Sequence, residues 1–175
     1  MKLKLKHYNP NKKFIDTYGS KWNRRSDSIY NNGDCVVRAF TKLTGLDYST
    51  VASNVAIANG YRDVSRVTNG NFIWDVYRDV FKDMGIIKLN FSVRKNLRNT
   101  VKDALNGDLD YRVYDSRLDP VSSLSDRYVT WLVTGHAATT KGNTLYDSWD
   151  CSGRKTRGTA YAFSDKALNK TFDWS

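Results

Sequence analysis

Three side chains in this sequence have the types and spacing that nucleophilic catalysis requires: Cys35, His136 and Asp147. Cys35 follows Asn31-Asn32-Gly33-Asp34, where an apolar helical period begins. A thiol there would meet unpaired backbone N–H groups and the positive end of a helix dipole, and both favour thiolate. The chain has 2 histidines. His7 belongs to a basic N-terminal stretch, which leaves His136 as the histidine available inside a folded body. Asp147 lies beyond a hairpin signal at Lys141-Gly142-Asn143. From the next strand it can reach the imidazole and fix its tautomer. Nucleophile, base and orienting carboxylate are the three parts of a thiol-based triad. Each residue also has a plainer reading. Cys35 can be a small buried residue or the disulfide partner of Cys151, His136 a satisfied core histidine, and Trp149 ordinary core. Asp147 can be a turn residue, and Asp150 competes for the orienting role.

The elements that must position these residues follow from hydrophobic period. Val36, Ala39, Phe40 and Leu43 fall at i, i+3, i+4 and i+7, predicting a helix from Asp34 or Cys35 until Gly45 stops it. A second helix is predicted over 49–60, with Val51, Ala52, Val55 and Ala56 inward, and a third over 73–84, ended by Gly85. Residues 86–93 read as a strand and 100–106 as a short helix closed by Gly107. Short segments rich in β-branched and aromatic residues then follow at 111–114, 128–134, 136–140, 144–147 and 159–163. Helices first and strands later predict an α+β domain, a helical half packed on a C-terminal antiparallel β-sheet. The expected organisation is one domain over 29–175 behind a basic arm over 1–28.

Composition narrows the classes. A chain of 175 residues with 40% hydrophobic and 13% aromatic content can build one domain with a genuine core. No apolar run approaches 18 residues, which excludes a membrane-spanning helix. The charged opening MKLKLKHYNPNKKF has no signal-peptide core, so a cytoplasmic product is expected. Neither Gly-rich phosphate-binding pattern occurs, which argues against nucleotide hydrolysis. Two cysteines cannot supply a four-thiolate zinc site, and neither a metal nor a cofactor is expected. All 18 acidic residues are Asp, and the chain has no Glu and no Gln.

Charge is unevenly distributed. Residues 1–25 carry Lys2, Lys4, Lys6, Lys12, Lys13, Lys21, Arg24 and Arg25 against Asp16, a net +7 of the chain's +10. No helical or strand period is assigned to this stretch. Tyr8, Phe14, Tyr18 and Trp22 interleave its lysines and are expected to pin it over the surface. Lys2, Lys4, Lys6, Lys12 and Lys13 are the candidate contacts to nucleic acid or another acidic partner.

Three short motifs resemble those of papain-like cysteine peptidases. Gly33-Asp34-Cys35-Val36-Val37-Arg38-Ala39-Phe40 is similar to the family's cysteine helix, Gly135-His136-Ala137 to its histidine strand, and Leu145-Tyr146-Asp147-Ser148-Trp149 to its Asn-Ser-Trp motif, with Asp in the first place. Their chain order is also the family's, and the compact size is similar to its small bacterial and phage-encoded branch. The resemblance implies a papain-like α+β fold and a thiol hydrolase acting on a protein or peptide substrate at peptide, isopeptide or related amide bonds. Cys35 would attack, His136 act as base, Asp147 orient it, and Trp149 shield the His–Asp contact. It would act in the cytoplasm, that of the host if phage-encoded. The family's Gln ahead of the cysteine is missing here, so Asn32 or Asn31, or backbone N–H groups alone, would take the oxyanion role. Acyl transfer or deamidation by the same triad, and a catalytically silent papain-like binding protein, are the alternatives.

Overall fold

The computed structural model describes residues 3–10, 34–58, 81–115, 117 and 119–168, without the side chains of 56–58. Four α-helices occur among them: α1 (Cys35–Thr44), α2 (Tyr48–Ala58), α3 (Leu97–Leu105) and α4 (Asp165–Leu168). Seven strands form a single sheet: β1 (Lys4–His7), β2 (Ile86–Phe91), β3 (Tyr111–Val113), β4 (Val129–Val133), β5 (His136–Lys141), β6 (Thr144–Asp147) and β7 (Thr156–Phe163). Their spatial order is β1-β6-β5-β4-β7-β2-β3. No described helix is long and apolar enough to cross a membrane.

The α+β class is as expected, but the sheet is mixed rather than antiparallel. Every pairing is antiparallel except β1 with β6, which runs parallel and aligns Lys4 with Thr144 and His7 with Asp147. The start of the basic stretch is therefore an edge strand, not an arm lying over the surface. Its period of two, Leu3 and Leu5 inward with Lys4 and Lys6 exposed, was overlooked among the lysines. Lysines on an edge strand also hinder pairing with a further chain. Phe14, Tyr18, Trp22, Lys2, Lys12 and Lys13 lie outside the described residues.

Two apolar cores cover the two sides of the sheet. On one, α1 and α2 bring Val36, Val37, Phe40 and Val51 against Leu132, Ala137 and Tyr161. Phe40 stacks on Phe81 with ring centroids 4.4 Å apart. On the other, Leu97 and Val101 of α3 pack with Leu89, Trp131, Val133, Leu145 and Cys151. Helix α3 begins three residues before its expected start because Asn96 caps it, its side chain accepting from the Asn99 N–H at 3.0 Å. Strand β7 likewise starts earlier, at Thr156, and passes Gly158 (φ +78), where an added Cβ would lie 2.6 Å from the Phe91 carbonyl oxygen. Most of the helix expected over 73–84 falls outside the described residues. Its end, Lys82–Met84, is a 3₁₀ turn.

Candidate active site

Helix α1 and the hairpin β5–β6 meet to form the site. Cys35 is the first residue of α1 and is 7% exposed. His136 opens β5 immediately after Gly135, whose φ of +66° makes the tight return from β4. Asp147 ends β6. The β5–β6 register brings the two ends together, and His136 Nε2 lies 2.6 Å from Asp147 Oδ2. Cys151 Sγ lies within 4.8 Å of the imidazole and carboxylate ligand atoms, and Cys35 is also near enough to influence the imidazole. Burial pulls the imidazole toward neutrality. Its hydrogen bonds to Asp147, Cys151 and Cys35, together with the Asp147 charge, outweigh that and lift its pKa from the ordinary 6.5 to about 11.

A buried ionic frame holds Asp147. Arg38, one turn after Cys35 and 4% exposed, donates from Nη1 to Asp147 Oδ1 at 3.0 Å and also to Ser148 Oγ. The Ser148 N–H donates to the same Oδ1 at 2.7 Å, which leaves Oδ2 for the imidazole. On its other side Arg38 Nε forms a 3.2 Å ion pair with Asp34, the residue before the helix. Tyr48 of α2 donates to Asp34 Oδ2 at 2.8 Å. Burial and the Asp34 charge push that phenol well above its usual pKa, so it stays a donor. Desolvation works against the Arg38 charge, yet Asp34 and Asp147 raise its pKa further. With His136 protonated, Asp34, Asp147, Arg38 and His136 together carry no net charge, so each buried charge has a counter-charge to offset its desolvation cost.

Trp149 covers the imidazole at a centroid distance of 4.7 Å and a 46° tilt, and the Arg154 guanidinium lies 4.7 Å from the Trp149 ring centre. Asp150, the competing carboxylate, is exposed and accepts from the Ser152 N–H at 2.9 Å. It is Asp147, not Asp150, that meets His136. Both cysteines are free thiols, so the disulfide alternative is not formed. Asn31 and Asn32 lie outside the described residues.

The chain matches no family model, no curated protein and no solved structure. The chemistry is therefore argued from these side chains. A thiol, an imidazole and a carboxylate in sequence can deprotonate a nucleophile and hand the proton on. Three donor types are also close enough to hold a metal ion, since ligand atoms of His136, Asp147 and Cys151 all lie within 4.8 Å of one another.

Sequence reasoning missed four participants: Asp34, Arg38, Ser148 and Cys151. Arg38 carried a signal, because it is a charge inside the otherwise apolar run Cys35-Val36-Val37-Arg38-Ala39-Phe40, on the side of the helix facing the core. Cys151 carried none. A turn returns it to the site, closed by the Arg154 N–H donating to the Cys151 carbonyl at 3.0 Å. No residue type announces such a return.

Proposed function

We propose that this chain is a papain-like cysteine hydrolase that cleaves peptide, isopeptide or related amide bonds. One observation carries the reading: the His136 imidazole is held by Asp147 and is near enough to Cys35, at the start of a helix, for that thiol to help raise its pKa. Cys35 Sγ attacks the substrate carbonyl as a thiolate, with His136 already holding the proton as imidazolium. The carbonyl oxygen becomes an oxyanion, received by the free N–H groups of the first turn of α1. His136 then protonates the leaving amine, giving an acyl-enzyme thioester. Water, deprotonated by the same imidazole, hydrolyses it and frees Cys35. Throughout, Asp147 Oδ2 orients the ring, and Arg38 and the Ser148 N–H hold Asp147. Asn32 and Asn31 belong to this reading as oxyanion donors. An amine in place of water turns the same intermediate to acyl transfer, and a Gln side chain as substrate turns it to deamidation. The site needs thiols, which fits a reducing compartment such as the cytoplasm.

Alkylation with iodoacetamide, followed residue by residue with mass spectrometry, tests the reading. Cys35 should react at least about tenfold faster than a free cysteine at neutral pH, and His136→Ala should remove that advantage. A Cys35 no faster than free thiol overturns it.

A second reading, docking of nucleic acid or another acidic partner, is favoured by a separate region. Lys42 Nζ lies 4.2, 5.1 and 5.4 Å from the ring centres of Tyr146, Tyr8 and Tyr128. Lys141 and Lys6 lie over the Tyr128 and Tyr146 rings. None of these three ammonium groups has a carboxylate partner among the described residues. Lys42 and Lys141 border a cavity of about 670 Å³ that Tyr8 and Tyr128 also help to line. Binding of a single-stranded oligonucleotide that weakens with salt, with a shallower salt slope in Lys42→Ala, supports this reading. Binding indifferent to both salt and Lys42 removes it.

A further inference from the structure

We propose that His136, Asp147 and Cys151 form a binding site for a thiophilic divalent cation, Zn²⁺ in its chemistry. Their nitrogen, oxygen and sulfur ligand atoms lie within 4.8 Å of one another, and Cys151 and Asp147 are 1% and 3% exposed. Around one tetrahedral Zn²⁺, with bonds of about 2.0–2.3 Å, ligand atoms stand roughly 3.3–3.7 Å apart. The donors need to shift by about 1 Å or less, and the 2.6 Å contact between His136 and Asp147 opens as the ion enters between them. An imidazole, a carboxylate and a thiolate suit zinc better than the harder Mg²⁺ or Ca²⁺, which prefer oxygen alone.

Charge and support point the same way. With His136 neutral and Cys151 deprotonated, Zn²⁺ balances Cys151 and Asp147 while Arg38 balances Asp34, so the buried group again carries no net charge. The carboxylate is already fixed from behind. Arg38 and the Ser148 N–H both occupy Asp147 Oδ1, leaving Oδ2 to bind metal, the kind of outer support that ligating carboxylates require. Three protein ligands leave a fourth position for water.

This site is independent of Cys35 acting as a nucleophile, although His136 cannot serve both roles at once. That separation also divides the tests, because a failed alkylation assay leaves metal binding untouched and the reverse holds too.

The experiment is a Co²⁺ titration of the full, reduced, chelator-stripped chain, followed in the thiolate-to-cobalt charge-transfer band and reversed by Zn²⁺. One equivalent should bind. Cys151→Ser should abolish the band and weaken binding at least about a hundredfold, beyond the effect of losing an outer-shell partner. Cys35→Ser and His7→Ala should keep both band and affinity. No band in the wild-type chain overturns the proposal, as does a band that survives Cys151→Ser or vanishes with Cys35→Ser. Circular dichroism checks the fold of each variant. Should Cys151→Ser not fold, Cys151→Ala takes its place, and the wild-type titration by itself can still overturn the site.

Discussion

Two arginines in this protein each bridge two aspartates, and they do so to different ends. Arg127 donates from Nε to Asp126, from Nη1 to the Phe163 carbonyl and from Nη2 to Asp165, at 2.7–2.9 Å. Asp165 in turn accepts from the Ser122 N–H, so the cluster ties the loop before β4 to the end of β7 and α4. Its carboxylates are 55% and 34% exposed, so water shares their charge. Arg38 joins Asp34 to Asp147 where all three are nearly sealed from solvent, and one of its carboxylates continues into an imidazole and two thiols. The first cluster ends in structure, with each guanidinium nitrogen matched to a fixed acceptor. The second passes its charge on to groups that can change protonation state. An arginine–aspartate bridge is informative about function through what its carboxylate touches next.

The difference is sharpest in stability. Arg38→Leu should cost about 3–5 kcal/mol, because two buried carboxylates lose their counter-charge, and denaturant unfolding should record it. Asp147→Asn keeps the shape but weakens the hold on the imidazole. It should slow Cys35 alkylation by roughly tenfold to a hundredfold, as losing an orienting partner of a histidine does elsewhere. Arg127→Leu should cost less than Arg38→Leu, about 1–2 kcal/mol, and leave alkylation unchanged. Equal losses in the two arginine variants, or an effect of Arg127 on Cys35, would break the contrast.

The smallest expected effect is in acid. The Ser122 N–H and the Arg127 guanidinium hold the Asp165 carboxyl below its usual range. A depressed folded pKa means that its stabilisation is present above the unfolded value, about pH 4, and is lost as pH falls below it. Unfolding midpoints measured down the acid limb should fall less steeply in Arg127→Leu than in the wild-type chain. Parallel limbs would mean that Asp165 contributes nothing through Arg127.

Much of the site was legible because local sequence fixes local geometry. Cys35 heads a helix whose apolar period is unambiguous, and a tight turn at Lys141-Gly142-Asn143 forces β5 and β6 into a register that joins His136 to Asp147. The parts that were not legible depend on long-range closure. Arg38 reaches Asp147 across 109 positions, and Cys151 enters through an irregular turn with no period to read. The edge strand β1 was missed for another reason, since Leu5 and the preceding Leu3 alternate with lysines and the strand's partner lies far along the chain.

That partner sets an order of events during synthesis. Lys4 pairs with Thr144, so β1 leaves the ribosome early and finds no edge to join until β6 follows. At about 5–20 residues per second the wait is on the order of 10 s, long against hairpin formation in microseconds. For most of that interval only β2 and β3 can pair, since β4 and β5 emerge just before β6 and β7 follows it, and the nascent chain meanwhile carries a short alternating Leu/Lys segment in need of solubility. Its lysines repel copies of the same segment on neighbouring nascent chains until β1 pairs with β6.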